Sequence, residues 1–345
     1  MSGTVVVLRA LGLGDLLTAL PALRGLRSFV DARLPEHRLL LAAPDWLEPV
    51  ARLSGAVDGL VPTAPLGPVT VDAPALAVNL HGRGPQSTET LRRTRPDALW
   101  AFDLPGGCAW DTPEAAGSPA VPAVGGFDGF DGFDGVARGV RCGGRPGEEH
   151  ESVRWCRLLA TYGVTCDPRA LDLPLPPVRE QPPGAVTPDG SVTIVHPGGA
   201  APARRWPARR WSRLAEALVR GGHRVVVTGS AAERRLATQV TAAAGLGPGA
   251  VLAGRTDLLG LCDLVARARL LVAADTGIAH LATAYRTPSV VLFGPVPPAR
   301  WGPPPDRPEH RALWAGRLGD PAAPTCDPGL LTITVDQVLR EMAGR

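Results

Sequence analysis

Short apolar runs alternate with amphipathic stretches along most of this chain, and the alternation occurs twice. In the first half the runs fall at 4–10, 38–42, 75–80 and, more weakly, 98–102. In the second they fall at 191–196, 224–228, 269–274 and 289–293. Strands alternating with helical patterns predict βαβ units and a parallel sheet. The runs are largely apolar on both faces and several are Val-rich, as a sheet covered by helices on both sides requires. The helical stretches carry their own stripes, with Leu16, Leu17, Leu20 and Leu23 on one and Trp211, Leu214 and Leu218 on another. Pro21, inside the first stripe, is expected to kink that helix or cut it short.

Two such halves predict two α/β domains in 345 residues, a length beyond what one core holds. Residues 1–170 form the first. Its closing helix is expected over 148–162, with acidic residues at the start and Val153, Cys156 and Leu159 at helical spacing. Residues 171–190 contain Pro174, Pro176, Pro177, Pro182, Pro183 and Pro188 and read as a linker. Residues 191–325 form the second domain. A C-terminal helix over 326–345 is placed where it can pack back on the first domain. Residues 105–147 are Gly- and Pro-rich and repeat Phe-Asp-Gly three times over 127–135, which predicts a mobile surface loop. The Asp spacing there does not match an EF-hand loop, which places oxygen ligands at alternate positions.

Composition narrows the function classes. The net charge is +3, the basic side chains other than His are all Arg, and no basic run interleaved with aromatics marks a nucleic-acid groove. The six cysteines form no CxxC pair and stand beside no His at zinc spacing. The run Val5–Leu8 is too short for a signal peptide, and no apolar stretch reaches the ~20 residues that span a bilayer. The expectation is a cytoplasmic protein with at most peripheral membrane contact.

Four turns carry candidate chemistry. The first strand runs into Arg9-Ala10-Leu11-Gly12-Leu13-Gly14-Asp15, with a helix expected to begin near Asp15. Gly12 and Gly14 allow close backbone approach, and a helix start offers unpaired N–H groups. The third glycine of a dinucleotide fingerprint is absent, and no acidic residue ends the second strand, so NAD is disfavoured. Asp15 reads as a helix cap or as a general base, and position alone favours the cap.

The second half opens on His196-Pro197-Gly198-Gly199-Ala200, followed by Arg204-Arg205-Trp206-Pro207. A guanidinium meets phosphate oxygens bidentately, although an exposed Arg pair is equally ordinary in an all-Arg protein. A buried run then enters Asp275-Thr276-Gly277, with a helix expected to follow and His280 one and a half turns on. The Thr276 and Gly277 amides would face an anion at the positive end of that helix. Asp-Thr-Gly also marks aspartic proteases, but one copy in a βα context rejects that reading. The last expected strand ends at Phe293-Gly294-Pro295, before a rigid loop through Trp301-Gly302-Pro303.

Together these blocks resemble glycosyltransferase family 9, the ADP-heptose:lipopolysaccharide heptosyltransferases. The resemblance rests on Gly14-Asp15 with Pro21, Pro197-Gly198 through Arg204-x-Trp206-Pro207, Asp275-Thr276-Gly277-x-x-His280-Leu281-Ala282, and Phe293-Gly294-Pro295 leading to Trp301-Gly302-Pro303. It implies an α/β protein of GT-B fold, two Rossmann-like domains facing across a cleft. It implies Asp15 as catalytic base, Arg204 on the donor diphosphate, and Gly199, Asp275, Thr276, Gly277 and His280 lining the donor pocket. Glu233 would reach the nucleoside, or else is a helix-surface charge. Two departures stand out: Arg204 where the family usually has Lys, and Gly199-Ala200 where relatives often present hydroxyls. The implied activity is inverting transfer of a sugar, heptose from ADP-heptose, to a glycan, glycolipid or small-molecule acceptor. No cofactor is implied, and no Asp-x-Asp motif is present to hold a metal. The competing classes are a non-catalytic sugar-nucleotide-binding relative, an epimerase of the same fold and, more weakly, a dehydrogenase.

Overall fold

The computed structural model describes residues 3–82, 84–102, 149–177 and 190–343. The chain divides into two compact units, Met1–Ala170 and Leu171–Arg345. The expected loop 105–147 and residues 178–189 of the expected linker lie outside the described residues.

The first unit runs β1 (Thr4–Leu8), α1 (Leu13–Arg33), β2 (Arg38–Ala43), α2 (Glu48–Leu53), β3 (Gly59–Pro62), β4 (Leu76–Asn79), α3 (Gln86–Arg92), β5 (Ala98–Trp100) and α4 (Glu151–Ala160). Its five strands pair in the order β3-β2-β1-β4-β5, all parallel. The four expected runs are strands, and β3 is an additional one. Val5, Val6, Val7 and Leu8 are fully buried, which is why β1 alternates no polar residues.

Helix α1 is 21 residues long and passes through Pro21 without ending, contrary to expectation. Leu16, Leu17, Leu20, Leu23 and Leu26 are all 2% exposed or less. At roughly 1.5–3 kcal/mol per buried leucine, that face outweighs the ~3 kcal/mol an internal proline costs. Helix α4 packs against α1. Its buried stripe runs through Ser152, Trp155, Cys156 and Leu159, and Val153, expected inside, is exposed. Gly25 marks where the chain after α4 crosses α1, since a Cβ there would lie 2.9 Å from the Thr165 carbonyl oxygen.

The second unit runs β6 (Val192–His196), α5 (Ala208–Arg220), β7 (Arg224–Val227), α6 (Arg234–Ala243), α7 (Leu258–Ala266), β8 (Leu270–Ala274), α8 (Gly277–Tyr285), β9 (Ser289–Leu292), α9 (Pro298–Trp301), β10 (His310–Leu313), α10 (Pro328–Thr332) and α11 (Val335–Ala343). Its strands pair in the order β10-β9-β8-β6-β7, again all parallel. The expected last strand, β9, is therefore followed by β10. The loop expected at 297–303 contains the short helix α9, closed by Gly302, where a Cβ would crowd the Pro298 carbonyl.

Two boundary expectations are corrected. Residues 171–177 belong to the second unit: Leu171 and Leu173 are buried, Leu173 N–H donates to the Ala284 carbonyl, and Asp172 bridges Arg286 and Arg307. The C-terminal segment, expected to pack back on the first domain, completes the second unit's core. Leu330, Ile333 and Val338 pack with Trp211, Leu214, Val290 and Leu292, and Trp206 Nε1 donates to the Ile333 carbonyl at 3.1 Å. Helix α11 packs on α5 and β9, where its apolar side chains are covered.

Candidate functional site

Each sheet has one topological switch point, where successive connections leave in opposite directions. In the first unit it lies between β1 and β4, and in the second between β6 and β8. Open parallel sheets bind ligands at the carboxyl ends of such strands. The sequence-predicted residues fall at these two places.

In the first unit the chain leaves β1 through Arg9, and α1 starts at Leu13 with Gly12 as its N-cap. Gly14 thus lies inside the first turn, and Asp15 is the third helical residue rather than the cap. Its carboxylate does two jobs. Oδ2 accepts the Gly12 N–H at 3.1 Å, satisfying one orphan amide of the helix start, and Oδ1 accepts Arg9 Nη2 at 3.1 Å. The Asp15 side chain remains 28% exposed.

Arg9 is almost fully buried and satisfied on every side. Nε donates to the Asp15 carbonyl at 3.1 Å and Nη1 to the Leu80 carbonyl at 2.6 Å. Glu151 Oε1 of α4 lies 3.5 Å from Nη2, and the guanidinium sits 4.8 Å from the Trp155 ring centroid. Burial pushes the Arg9 pKa down against the pull of Asp15 and Glu151. Across the switch point, the loop after β4 is held by Asn79, which is fully buried. Asn79 Oδ1 accepts the His81 N–H at 3.0 Å, and Nδ2 donates to Ser87 Oγ and Thr88 Oγ1, both at 3.0 Å.

In the second unit β6 ends at His196, whose Nδ1 meets Thr228 Oγ1 at 2.9 Å. Burial pushes the His196 pKa down to about 4, so the ring is neutral. The Gly198-Gly199 turn that follows is occupied by Glu233. Its Oε1 accepts the Gly199 N–H at 3.0 Å, while Oε2 accepts Ser230 N–H at 2.8 Å and Ser230 Oγ at 2.9 Å. A Cβ on Gly198 would lie 2.6 Å from Glu233 Oε2, so any larger residue there would displace that carboxylate. Burial raises the Glu233 pKa, but the Ser230 and Gly199 hydrogen bonds and His196 outweigh it, and the net shift is downward. Glu233 is thus a clasp on the turn rather than a free helix-surface charge, and the Gly199 amide is engaged by it.

Across this switch point, β8 ends at Ala274 and Thr276 caps α8 in extended conformation. Asp275 is 4% exposed, and burial pushes its carboxyl up to about 6 despite Arg204. Arg204 Nη1 lies 3.4 Å from Asp275 Oδ2. The structure therefore places Arg204 and Asp275 together at the head of α8, next to Thr276 and Gly277. His280, one turn into α8, stands edge-on to Trp301 with ring centroids 6.0 Å apart. Arg205 is turned to the Gly199 carbonyl, which its Nε meets at 2.8 Å.

Sequence reasoning did not single out Arg9, Asn79, His81 or Glu151. A charged residue at the carboxyl end of an otherwise apolar strand was the available signal for Arg9. The Arg9–Glu151 pair joins residues 142 positions apart, and the sequence offers no trace of it.

Residues 148–317 match the profile of Glycosyltransferase family 9 (heptosyltransferase). The chain is 39% identical over 142 residues to lipopolysaccharide heptosyltransferase 1 of Pseudomonas aeruginosa, covering 39% of each chain. It is 34% identical over 148 residues to lipopolysaccharide heptosyltransferase 2 of Escherichia coli, covering 41% of this chain and 42% of that one. The aligned segments thus span about two fifths of these relatives. The fold extends further: the structure of Escherichia coli ADP-heptose lipopolysaccharide heptosyltransferase II superposes with a TM-score of 0.67 at 19% identity, covering 99% of this chain and 98% of that one. The expected GT-B class of fold is borne out. No helix among the described residues is long and apolar enough to cross a membrane.

Proposed function

We propose that this protein is a glycosyltransferase that moves heptose from ADP-heptose to a hydroxyl of a lipopolysaccharide-core-like glycan, by single displacement with inversion and without a metal ion. The observation that carries the reading is the arrangement at the head of α8. A guanidinium and the first amides of a nine-residue helix stand together at a switch point, within the segment that matches the family. Such a helix start favours a diphosphate.

In this reading Asp15 takes the proton from the acceptor hydroxyl as that oxygen attacks the anomeric carbon. The ADP leaves, and Arg204 with the Thr276 and Gly277 amides stabilises the charge that builds on its diphosphate. Glu233 opens toward the nucleoside when the donor arrives, freeing the Gly199 amide. Heptose and ADP are favoured among sugars and nucleotides because the relatives named above act on lipopolysaccharide as heptosyltransferases and one of them carries ADP-heptose in its name. The reaction is tested by mixing the protein with ADP-heptose and core oligosaccharide and following ADP release. Release that depends on the acceptor supports transfer. Binding of ADP-heptose without release supports a non-catalytic relative, and conversion without acceptor supports an epimerase.

A further inference from the structure

His81 has no role in the chemistry derived so far, yet it sits in the same scaffold as Asp15. Its neighbours on the chain are both fixed. The Leu80 carbonyl accepts Arg9 Nη1, the same guanidinium that holds Asp15, and the His81 N–H is held by buried Asn79. The Gly82 N–H adds a longer bond to the same Asn79 oxygen at 3.4 Å. Arg9 and Asn79 therefore brace the ends of β1 and β4 against each other and set the position of residue 81 relative to Asp15. Asp15 and the residue before His81 are thus held by one guanidinium, through Nη2 and Nη1 respectively.

The ring itself is partly buried, and its Nδ1 is buried with no hydrogen-bond partner among the described residues. An unmet polar atom in a braced loop is an unusual feature in a folded protein and calls for an explanation. Burial and then the Arg9 charge push the His81 pKa down, opposed by Asp15, so the imidazole is neutral near pH 7. With Nδ1 buried, Nε2 is the ring nitrogen left for a ligand, and in a neutral imidazole it either donates to or accepts from a sugar hydroxyl, according to the tautomer.

We propose that His81 is an acceptor-binding residue, which hydrogen-bonds a hydroxyl of the polyhydroxylated acceptor and so presents that acceptor to Asp15. This inference rests on the proposed transferase reading, and in particular on Asp15 receiving the proton of the attacking hydroxyl. It adds to that reading a specificity-determining group on the acceptor side, contributed by the loop after β4.

The test compares His81→Phe, His81→Gln and Asp15→Asn with the unaltered protein, using ADP-heptose and delipidated core oligosaccharide. Phenylalanine keeps the ring and removes both nitrogens, and glutamine restores a donor and an acceptor. The expected result for His81→Phe is an acceptor KM raised about tenfold, the value of one good hydrogen bond of ~1.4 kcal/mol. The donor KM and the thermal shift given by ADP stay at the wild-type values, and His81→Gln recovers part of the loss. If His81→Phe fails to fold, His81→Gln carries the same comparison with a smaller shift. An unchanged acceptor KM in both variants overturns the inference, as does a donor KM that rises in parallel. Those outcomes leave the transferase reading standing provided Asp15→Asn abolishes turnover. Transfer that survives Asp15→Asn overturns the proposed base instead, and the His81 inference with it.

Discussion

The Arg204 guanidinium stands 3.4 Å from the buried Asp275 carboxylate and offsets the cost of a charge at the head of α8. The offset is incomplete, because burial still raises Asp275 from its ordinary 3.8 to about 6. His196, at the matching end of β6, is displaced the other way, from 6.5 to about 4. The two groups set opposite pH dependences in one window. Asp275 has a raised folded pKa, so its contribution to stability is fully present below ~4 and is lost as pH rises through 6. His196 has a lowered folded pKa, so its contribution is present above 6.5 and is lost as pH falls toward 4. Each amounts to about 3 kcal/mol at 1.36 kcal/mol per pKa unit. Thermal unfolding between pH 4 and 6.5 should therefore vary little in the wild-type protein. Asp275→Asn should lose stability as pH falls across that window, by up to about 3 kcal/mol, with His196 unopposed. A variant as flat as the wild type would show that the two shifts do not cancel.

Asp15 combines two roles that sequence position could not separate. It accepts the Gly12 N–H as part of the helix start and is locked by Arg9. Asp15→Asn keeps one acceptor of the two and removes one of the two carboxylates facing buried Arg9, so folding should weaken by about 1–3 kcal/mol, with Glu151 still in place. Turnover should fall at least 10²-fold, the usual contribution of a general base. Steady-state kinetics beside an ADP thermal-shift titration separates the two effects. Equal losses in binding and turnover would reduce Asp15 to a cap.

The clasp of Glu233 on the Gly198-Gly199 turn has a steric counterpart. Gly198→Ala places a methyl against the carboxylate and should displace it, with a loss of about 1–3 kcal/mol from overpacking. Glu233→Gln keeps the volume but weakens three hydrogen bonds to a charged acceptor. Its cost should be about 1–2 kcal/mol after allowance for partial exposure. Glu233 is held below its ordinary 4.5, so its own contribution is lost only below that pH, and denaturant unfolding at pH 7 reads the full effect of both substitutions.

Arg9→Met removes the charge that joins α1, α4 and the loop after β4 through Asp15, Glu151 and Leu80. Glu151 keeps Arg154 at 3.4 Å, which limits the damage. A loss of about 3 kcal/mol is expected, near the low end for breaking a buried pair. Denaturant melts of this variant and of Glu151→Gln check it, and Glu151→Gln should cost less because Asp15 still holds Arg9.

Much of the fold was legible because buried parallel strands leave apolar runs that need no partner to be seen. The strands that escaped, β3 and β10, each lie at one edge of their sheet, while β5 and β7 at the opposite edges kept readable apolar runs. Strand β3 is Gly59–Pro62, with turn-forming residues at both ends, and β10 is His310–Leu313, with two polar residues in four. At the site, the turns themselves could be read, because glycine, arginine and aspartate follow strand ends directly. What could not be read were the clasps: Arg9 with Glu151, Asn79 with His81, and Glu233 with Gly199. Arg9 with Glu151 and Glu233 with Gly199 join segments far apart in the chain, and the Asn79 contact depends on the turn that follows β4.

The most direct measurement is mass spectrometry of a core oligosaccharide incubated with ADP-heptose and this protein, with ADP quantified in the same sample. The account predicts an acceptor heavier by one heptosyl residue and one ADP released for each residue transferred, both lost in Asp15→Asn. An unmodified acceptor in the presence of bound ADP-heptose would contradict it, as would ADP release at the same rate with no acceptor present.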